Sequence, residues 1–348
     1  MRASLCAEYN VAGPNLRGVI ACEHKFWSRL EQSKAIDECP QFEAVDIFDE
    51  QAADKISIEY PFWLKPIKAT SSQLGFKIQN KEDFLNAQQQ IQNGIQFYSE
   101  NFNYFLHKVP LPEEVKNIDG RYCIAESIIA GHQCTVSGYV HNRKVTVYGI
   151  VDSINYPESS SFFRFEYPSV LPEHVQDRIT DASIRIIEQI GLDNSTFNIE
   201  FYYDETYDRL WALEVNPRLS QSHSYQYRMV DGDTNLKIMI DLSLNTSPDF
   251  PYRQGKYARA AKFFYRIFDD GLVTRVPDAK KIAEIEQAIP DTRVDIKVSE
   301  GVKLSELSLQ DSYSYDLAHI FIAAADRDEL LQKYHRCLEM MNIQIEEV

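Results

Sequence analysis

Residues 195–218, STFNIEFYYDETYDRLWALEVNPR, constrain the fold more than any other stretch of the chain. Two runs with strand character flank a polar turn at Glu205 to Asp208, a pattern that predicts an antiparallel hairpin. Side chains alternate along a strand, so Glu214 and Asn216 share a face, and the hairpin brings Glu200 beside them. Three oxygen-bearing side chains thereby converge among apolar neighbours. Hard oxygen ligands suit Mg²⁺, which keeps waters and completes its shell with substrate phosphates. Arg218, two residues beyond Asn216, is placed on the same side, where a cation stabilises a transferring phosphoryl group or a developing oxyanion. The competing reading of the residues is a hairpin whose solvent face is polar.

Two further passages carry chemistry. In WLKPIKATSSQLGFKI a lysine, Lys65, ends a buried strand and is followed by small hydroxyl residues and Gly75. Such a loop can wrap a polyphosphate through backbone N–H groups and hydroxyls, with Lys65 as a point charge. It lacks the G-x-x-x-x-G-K-[ST] spacing and the helix that would make it a P-loop, and an ordinary hairpin connection reads the same way. In CIAESIIAGHQC, Glu126 interrupts an apolar run that leads to Gly131. An acid at a strand end can accept from an adenine amino group while the next backbone groups read the ring edge; a structural strand-end acid is the alternative.

Around these passages the pattern is α+β. A helix is expected from Ala21 to Ile36, a buried strand at YPFWLKPI, helical structure from Lys81 to Leu106, three strands between Arg121 and Ile154, and a helix opened by Pro172 and closed by Gly191. SINYPESSSFFRFEYPS reads as a loop. After a break at residues 249–257, strands and helices resume as a separate α+β region, 255–348. At 348 residues two or three domains are expected. With 36 basic and 52 acidic residues the net charge is −16, which disfavours nucleic acid or an anionic membrane as a general partner. No stretch has the apolar length of a membrane span or a signal peptide. The six cysteines include no C-x-x-C pair, so reduced thiols and a cytoplasmic location are expected.

Taken in order, Lys25 in EHKFWSRL, the Lys65 strand and Ser-rich loop, Glu126 before Gly131, and the Glu200–Glu214–Asn216 hairpin resemble the ATP-grasp superfamily over roughly residues 10–245. LEVNPRLSQSHS is similar to the E-x-N-P-R-x-S segment of carbamoyl-phosphate synthetases, biotin carboxylases and L-amino-acid ligases. The resemblance implies two α+β lobes holding ATP in a grasp domain, 21–248, followed by a small α+β C-terminal domain. It implies that Lys25 and Lys65 contact phosphates, with Ser71, Ser72 and Gly75 in the loop over them. Glu126 and the backbone at Ile128 and Ile129 match the adenine hinge, with Gln133 a candidate for the ribose. Glu200, Glu214 and Asn216 match the ligands of Mg²⁺ (or Mn²⁺), and Arg218 the residue that steadies the intermediate.

The sequence departs from the family in two ways. The phosphate loop has one glycine where many relatives have several, and His132-Gln133 stands where an acid is usual. Relatives also carry an α/β domain ahead of the first lysine, whereas 24 residues precede Lys25 here. Residues 1–20 are therefore expected to be a linker or remnant, with a homodimer or a partner supplying that lobe. The implied function is an ATP-dependent ligase that turns a small-molecule carboxylate into an acyl phosphate for attack by an amine or similar nucleophile. The alternatives are biotin-carboxylase-like use of bicarbonate, or a nucleotide-binding subunit without turnover. His223 is a candidate base by its nearness to the motif, and Phe163, Arg164 and Glu166 are candidate lining.

Overall fold

A computed structural model describes residues 2–69, 73–307, 310 and 314–347. Three helices, Arg2–Tyr9 (α1), Leu16–Glu23 (α2) and Lys25–Ala35 (α3), precede strand Phe42–Asp46 (β1) and the short helix Ala52–Lys55 (α4). Strands Phe62–Pro66 (β2) and Phe76–Ile78 (β3) lead to helices Lys81–Gly94 (α5) and Gln96–Leu106 (α6). Four strands follow: Tyr122–Ser127 (β4), His132–His141 (β5), Lys144–Asn155 (β6) and Phe162–Tyr167 (β7). Helix Glu173–Ile190 (α7) feeds the hairpin Ser195–Asp204 (β8) and Arg209–Asn216 (β9), then helices Ser224–Val230 (α8) and Asn235–Ser243 (α9). The remainder is Arg259–Ile267 (β10), Leu272–Arg275 (β11), Ala279–Ala288 (α10), Thr292–Ile296 (β12), Tyr315–Ala324 (β13), Arg327–Met341 (α11) and Gln344–Glu346 (β14).

These elements form two compact units. The first takes residues 1–148, 171–219 and 239–248; the second takes 149–170, 220–238 and 249–348. The sequence places a boundary at 249–257, but the units interleave, because 149–170 and 220–238 join the C-terminal region. In the first unit an antiparallel sheet runs β1–β4–β2–β3, and β5–β8–β9 form a second antiparallel set. Phe62, Leu64, Ile78, Phe84, Ile91 and Ala125 make the apolar core beneath the first sheet. Helix α7 buries Val175, Ile179, Ala182, Ile186 and Ile190, a stripe of near-helical period, and ends on Gly191 with φ 71°, where a side chain would be strained.

The helix expected from Ala21 to Ile36 is broken at His24. The break has a local cause: the His24 ring accepts from the backbone N–H of Trp27 and so starts a new helix, α3, at Lys25. The second unit carries β12–β13–β10–β7 in antiparallel order. Ala261 and Phe263 of β10 face α10 and α11, where Ile285, Leu330 and Tyr334 complete the core. The stretch read as a loop contains β7, whose even rhythm is hidden by consecutive aromatics. Its Glu166, considered above as lining, is fully buried and accepts from Arg164 at 2.9 Å, Arg259 at 2.8 Å and Arg327 at 2.9 Å.

Three guanidiniums on one carboxylate tie β7, β10 and the start of α11 together. A buried charge whose partner is removed is left uncompensated, at about 3 kcal/mol or more. Glu166→Gln should therefore raise amide hydrogen exchange across β7 and β10 by about a hundredfold, in keeping with that cost. Unchanged protection at Ala260 to Phe263 would show that the cluster carries no stability.

Candidate active site

The site is built from the β8–β9 hairpin, the start of α3, and strands β2, β4 and β5, all in the first unit. Glu200 lies directly opposite Glu214, and Asn198 opposite Asn216. Beside this pairing the register shifts between Glu200 and Phe201, so that Phe201 meets Ala212 and Leu213 is left over. A bulge frees backbone groups that the ladder would otherwise use. Here Arg29 fills the gap, donating to the Ala212 carbonyl at 2.6 Å and to the Leu213 carbonyl at 2.8 Å.

Arg29 is buried, and its Nε and Nη2 also donate to Glu126 Oε1 at 2.8 and 2.6 Å. Lys65 pairs with the other oxygen, Oε2, of the same carboxylate. Burial works against the Glu126 charge, but the two cations outweigh it and hold its pKa down at about 2. Glu126, the expected adenine acceptor, thus has both oxygens engaged within the protein. One helical turn before Arg29, Lys25 donates to Glu214 Oε1 at 2.7 Å and to the Ala69 carbonyl at 3.4 Å. Burial again opposes ionisation of Glu214, and Lys25 and Lys65 prevail, so its pKa is lowered. The side chains of Lys25, Arg29, Lys65, Glu126 and Glu214 enclose a cavity of about 10 Å³, room for one water at most.

Glu200 behaves oppositely. Burial, and then the neighbouring Glu214 charge, push its carboxyl up to about 7, although Gln133 donates to it at 3.2 Å. Gln133, the ribose candidate, is oriented by Tyr202, whose hydroxyl donates to Gln133 Oε1 at 2.9 Å, so it serves the carboxylate face. Arg218 Nη2 lies 3.4 Å from Asn216 Oδ1, and its carbonyl accepts from Asn198 at 2.7 Å. Lys65 and Arg218 favour the ionised carboxylate but do not outweigh burial and Glu214. Two carboxylates and an amide oxygen fit Mg²⁺, which takes few protein ligands. Among the described residues no group of three or more His, Cys, Asp and Glu side chains is arranged to hold a metal by itself.

Ile128 and Ile129 follow β4 directly and are half-buried. Gly131, with φ 133°, is required where it stands: a Cβ would meet the Tyr203 carbonyl oxygen at 2.3 Å. Ser71 and Ser72 lie outside the described residues, and in the turn before Gly75 the left-handed residue is Leu74, φ 56°. His223 lies in the second unit, fully buried, and burial lowers its pKa to about 3, too weak a base to take a proton from an amine. Arg29 and Asn198 escaped the sequence reading. The i, i+4 spacing of Lys25 and Arg29, and the i, i+2 spacing of Asn198 and Glu200, were the available signals.

Residues 58–225 match the ATP-grasp domain family. Urea amidolyase from Saccharomyces cerevisiae is 30% identical over 142 residues, 40% of this chain but only 7% of the length of that relative. Among solved structures, the L-amino acid ligase of Bacillus licheniformis superposes with a TM-score of 0.74 at 16% identity, covering 99% of this chain and 78% of that one. The biotin carboxylase of Campylobacter jejuni gives 0.66 at 16% identity, covering 99% and 72%. No helix among the described residues is long and apolar enough to cross a membrane. Residues 58–225, just under half of the chain, thus match the ATP-grasp domain family, and the chain shares the α+β fold of these ligase and carboxylase structures.

Proposed function

We propose that this chain is an ATP-dependent, ADP-forming ligase joining a small-molecule carboxylate to an amine or similar nucleophile. The observation that carries the reading is the meeting, within one unit, of Lys25 and Lys65 with the Glu200–Glu214–Asn216 face. Cations for a polyphosphate and oxygens for its metal lie side by side. In the proposed reaction a carboxylate oxygen attacks the γ-phosphorus as the bond to the β,γ-bridging oxygen breaks, releasing ADP and leaving an acyl phosphate. The nucleophile then attacks the acyl carbon, phosphate departs, and the nucleophile gives up its proton to solvent or a base.

The side chains supply charge and position. Lys25 exchanges Glu214 for phosphate oxygens, since the space between the paired side chains admits no phosphate while they stay paired. Glu126, fixed by Arg29, aims Lys65 rather than contacting adenine itself. Glu200, Glu214 and Asn216 would hold Mg²⁺, which supplies charge neutralisation between phosphate oxygens. Arg218, braced by Asn198, would balance negative charge at the transferring group. Being named for ligation and carboxylation respectively, the Bacillus and Campylobacter proteins support carboxylate activation as the reaction class. The direct test is ADP release from Mg-ATP across panels of carboxylates and amines. Release that depends on both would support the ligase, and release with bicarbonate alone would replace it by a carboxylase.

Three outcomes follow from this arrangement. Glu214→Ala should lower ADP release about a hundredfold or more, the usual scale for losing one preorganised charged group; undiminished turnover would remove Glu214 from the metal site. Lys65→Ala should weaken ATP binding about tenfold or more, as expected for a lost charge-assisted contact, and leave adenosine binding unchanged. Equal losses for both ligands would indicate a folding effect.

The third outcome concerns stability without ligands. Because the Glu200 carboxyl rises from 4.5 to about 7, the folded chain between those values holds a proton that the unfolded chain has released. Stability therefore falls as pH rises through that window, and the penalty is complete above it. Glu200→Gln should stabilise the first unit at pH 8 by about 1–2 kcal/mol, allowing for solvent screening, and little at pH 4. Tryptophan fluorescence during urea unfolding reads this directly, since Trp27, Trp63 and Trp211 all lie in that unit. A pH-independent difference would contradict the raised carboxyl.

A further inference from the structure

The second unit contains a buried cation, Lys262, that makes no ion pair with an acid among the described residues. Lys262, at the centre of β10, is 6% exposed. Its ammonium donates to Ser222 Oγ at 3.2 Å and sits 4.5 Å from the Phe264 ring centre and 5.8 Å from that of Phe321. The nearest acids on neighbouring strands are committed elsewhere: Asp316 to Arg266 at 3.0 Å and His319 at 3.2 Å, and Asp295 to Lys297 at 2.5 Å. Beside it the buried His223 has an Nδ1 with no hydrogen-bond partner among the described residues. Burial is also the main reason that the Lys262 pKa is drawn down to about 8, with Lys297 and Arg266 adding to it and Asp316 and Asp295 opposing.

The strand register explains how these groups meet. Lys262 pairs with Phe165 on one side and Phe321 on the other, and Phe264 pairs with His319. Directly paired residues share a face, so Phe165, Lys262, Phe264, Phe321 and His319 form one surface, opposite the face that packs on α10 and α11. Phe165 in turn meets His223 edge-on at 5.3 Å and Phe264 at 4.9 Å. Taking an ammonium out of water costs several kcal/mol unless a partner compensates. A lone hydroxyl and two aromatic faces compensate only part of that. An anion with an apolar body would supply the missing charge and occupy the aromatic walls.

We propose that this face of the second unit binds an organic monocarboxylate, its charged end on Lys262 and Ser222 and its apolar body against Phe264 and Phe321. In so far as the ligase reading holds, the substrate class is then a carboxylic acid with a hydrophobic body rather than bicarbonate. The binding site itself stands on the geometry of the second unit and needs no nucleotide.

Calorimetry of the full chain, without ATP, tests it with 3-phenylpropionate, benzoate and acetate, and with 3-phenylpropanol as the uncharged counterpart. Saturable binding of at least one aromatic acid is expected, stronger than acetate and absent for the alcohol. Lys262→Met, which keeps the volume, should weaken that binding about thirtyfold, the scale of losing one partner of a buried charge pair. Lys262→Arg should retain part of it. Lys262→Met should also melt no lower than the parent, since it removes an uncompensated charge. No binding by any of the acids, or equal binding by the Met variant, would overturn the proposal. A lower melting temperature together with unchanged binding would assign Lys262 a purely structural role. ADP release is measured separately, so loss of the ligase reading would not mimic any of these results.

Discussion

The contact between Arg29 and Glu126 underlies the site. A fully buried ion pair is costly unless both groups are well hydrogen-bonded, and here they are. Arg29 spends its remaining donors on Gln32 and on the two carbonyls at the bulge of β9. Glu126 spends its second oxygen on Lys65. One guanidinium therefore fixes the first helix after His24, the centre of the four-stranded sheet, and the irregular edge of the carboxylate hairpin. Of the groups proposed to meet the triphosphate, Lys65 pairs with Glu126 directly and Lys25 stands one helical turn before Arg29.

That arrangement also explains how opposite charges coexist before a ligand arrives. Lys25 and Glu214 neutralise each other, as do Lys65 and Glu126, and Glu200 relieves the remaining crowding by resisting ionisation. A metal and a polyphosphate bring two positive charges and several negative ones. They would let the lysines and carboxylates each find a new partner without leaving a buried charge alone. The second unit shows the contrasting case, where Lys262 has no ion-pair partner among the described residues and donates only to the Ser222 hydroxyl.

The local grammar of the chain was legible at several points. The hairpin of β8 and β9, the helix closed by Gly191 and the strand of Lys65 all stand where period, turn residues and caps placed them. Two misreadings have physical causes. His24 starts a helix through its ring nitrogen, a role that ordinary capping residues announce and histidine does not. The strand β7 was obscured because its polar residues, Arg164 and Glu166, are buried ones, and because a register shift against β6 leaves Phe163 unpaired next to Phe162.

By itself the sequence determined which chemistry-bearing groups share a strand face or a helix turn, because those relations are set by backbone periods of 2 and 3.6. Glu214 with Asn216 is such a relation. It could not determine which groups meet across elements far apart in the chain. Arg29 with Glu126, Lys25 with Glu214 and Gln133 with Glu200 are separated by 97, 189 and 67 residues. Their pairing depends on strand register, on one bulge and on the packing of α3, and only then do burial and neighbouring charge decide which carboxylate ionises. Only the tertiary structure showed that Glu126, matched in sequence to the adenine hinge, lies between the two cations Arg29 and Lys65.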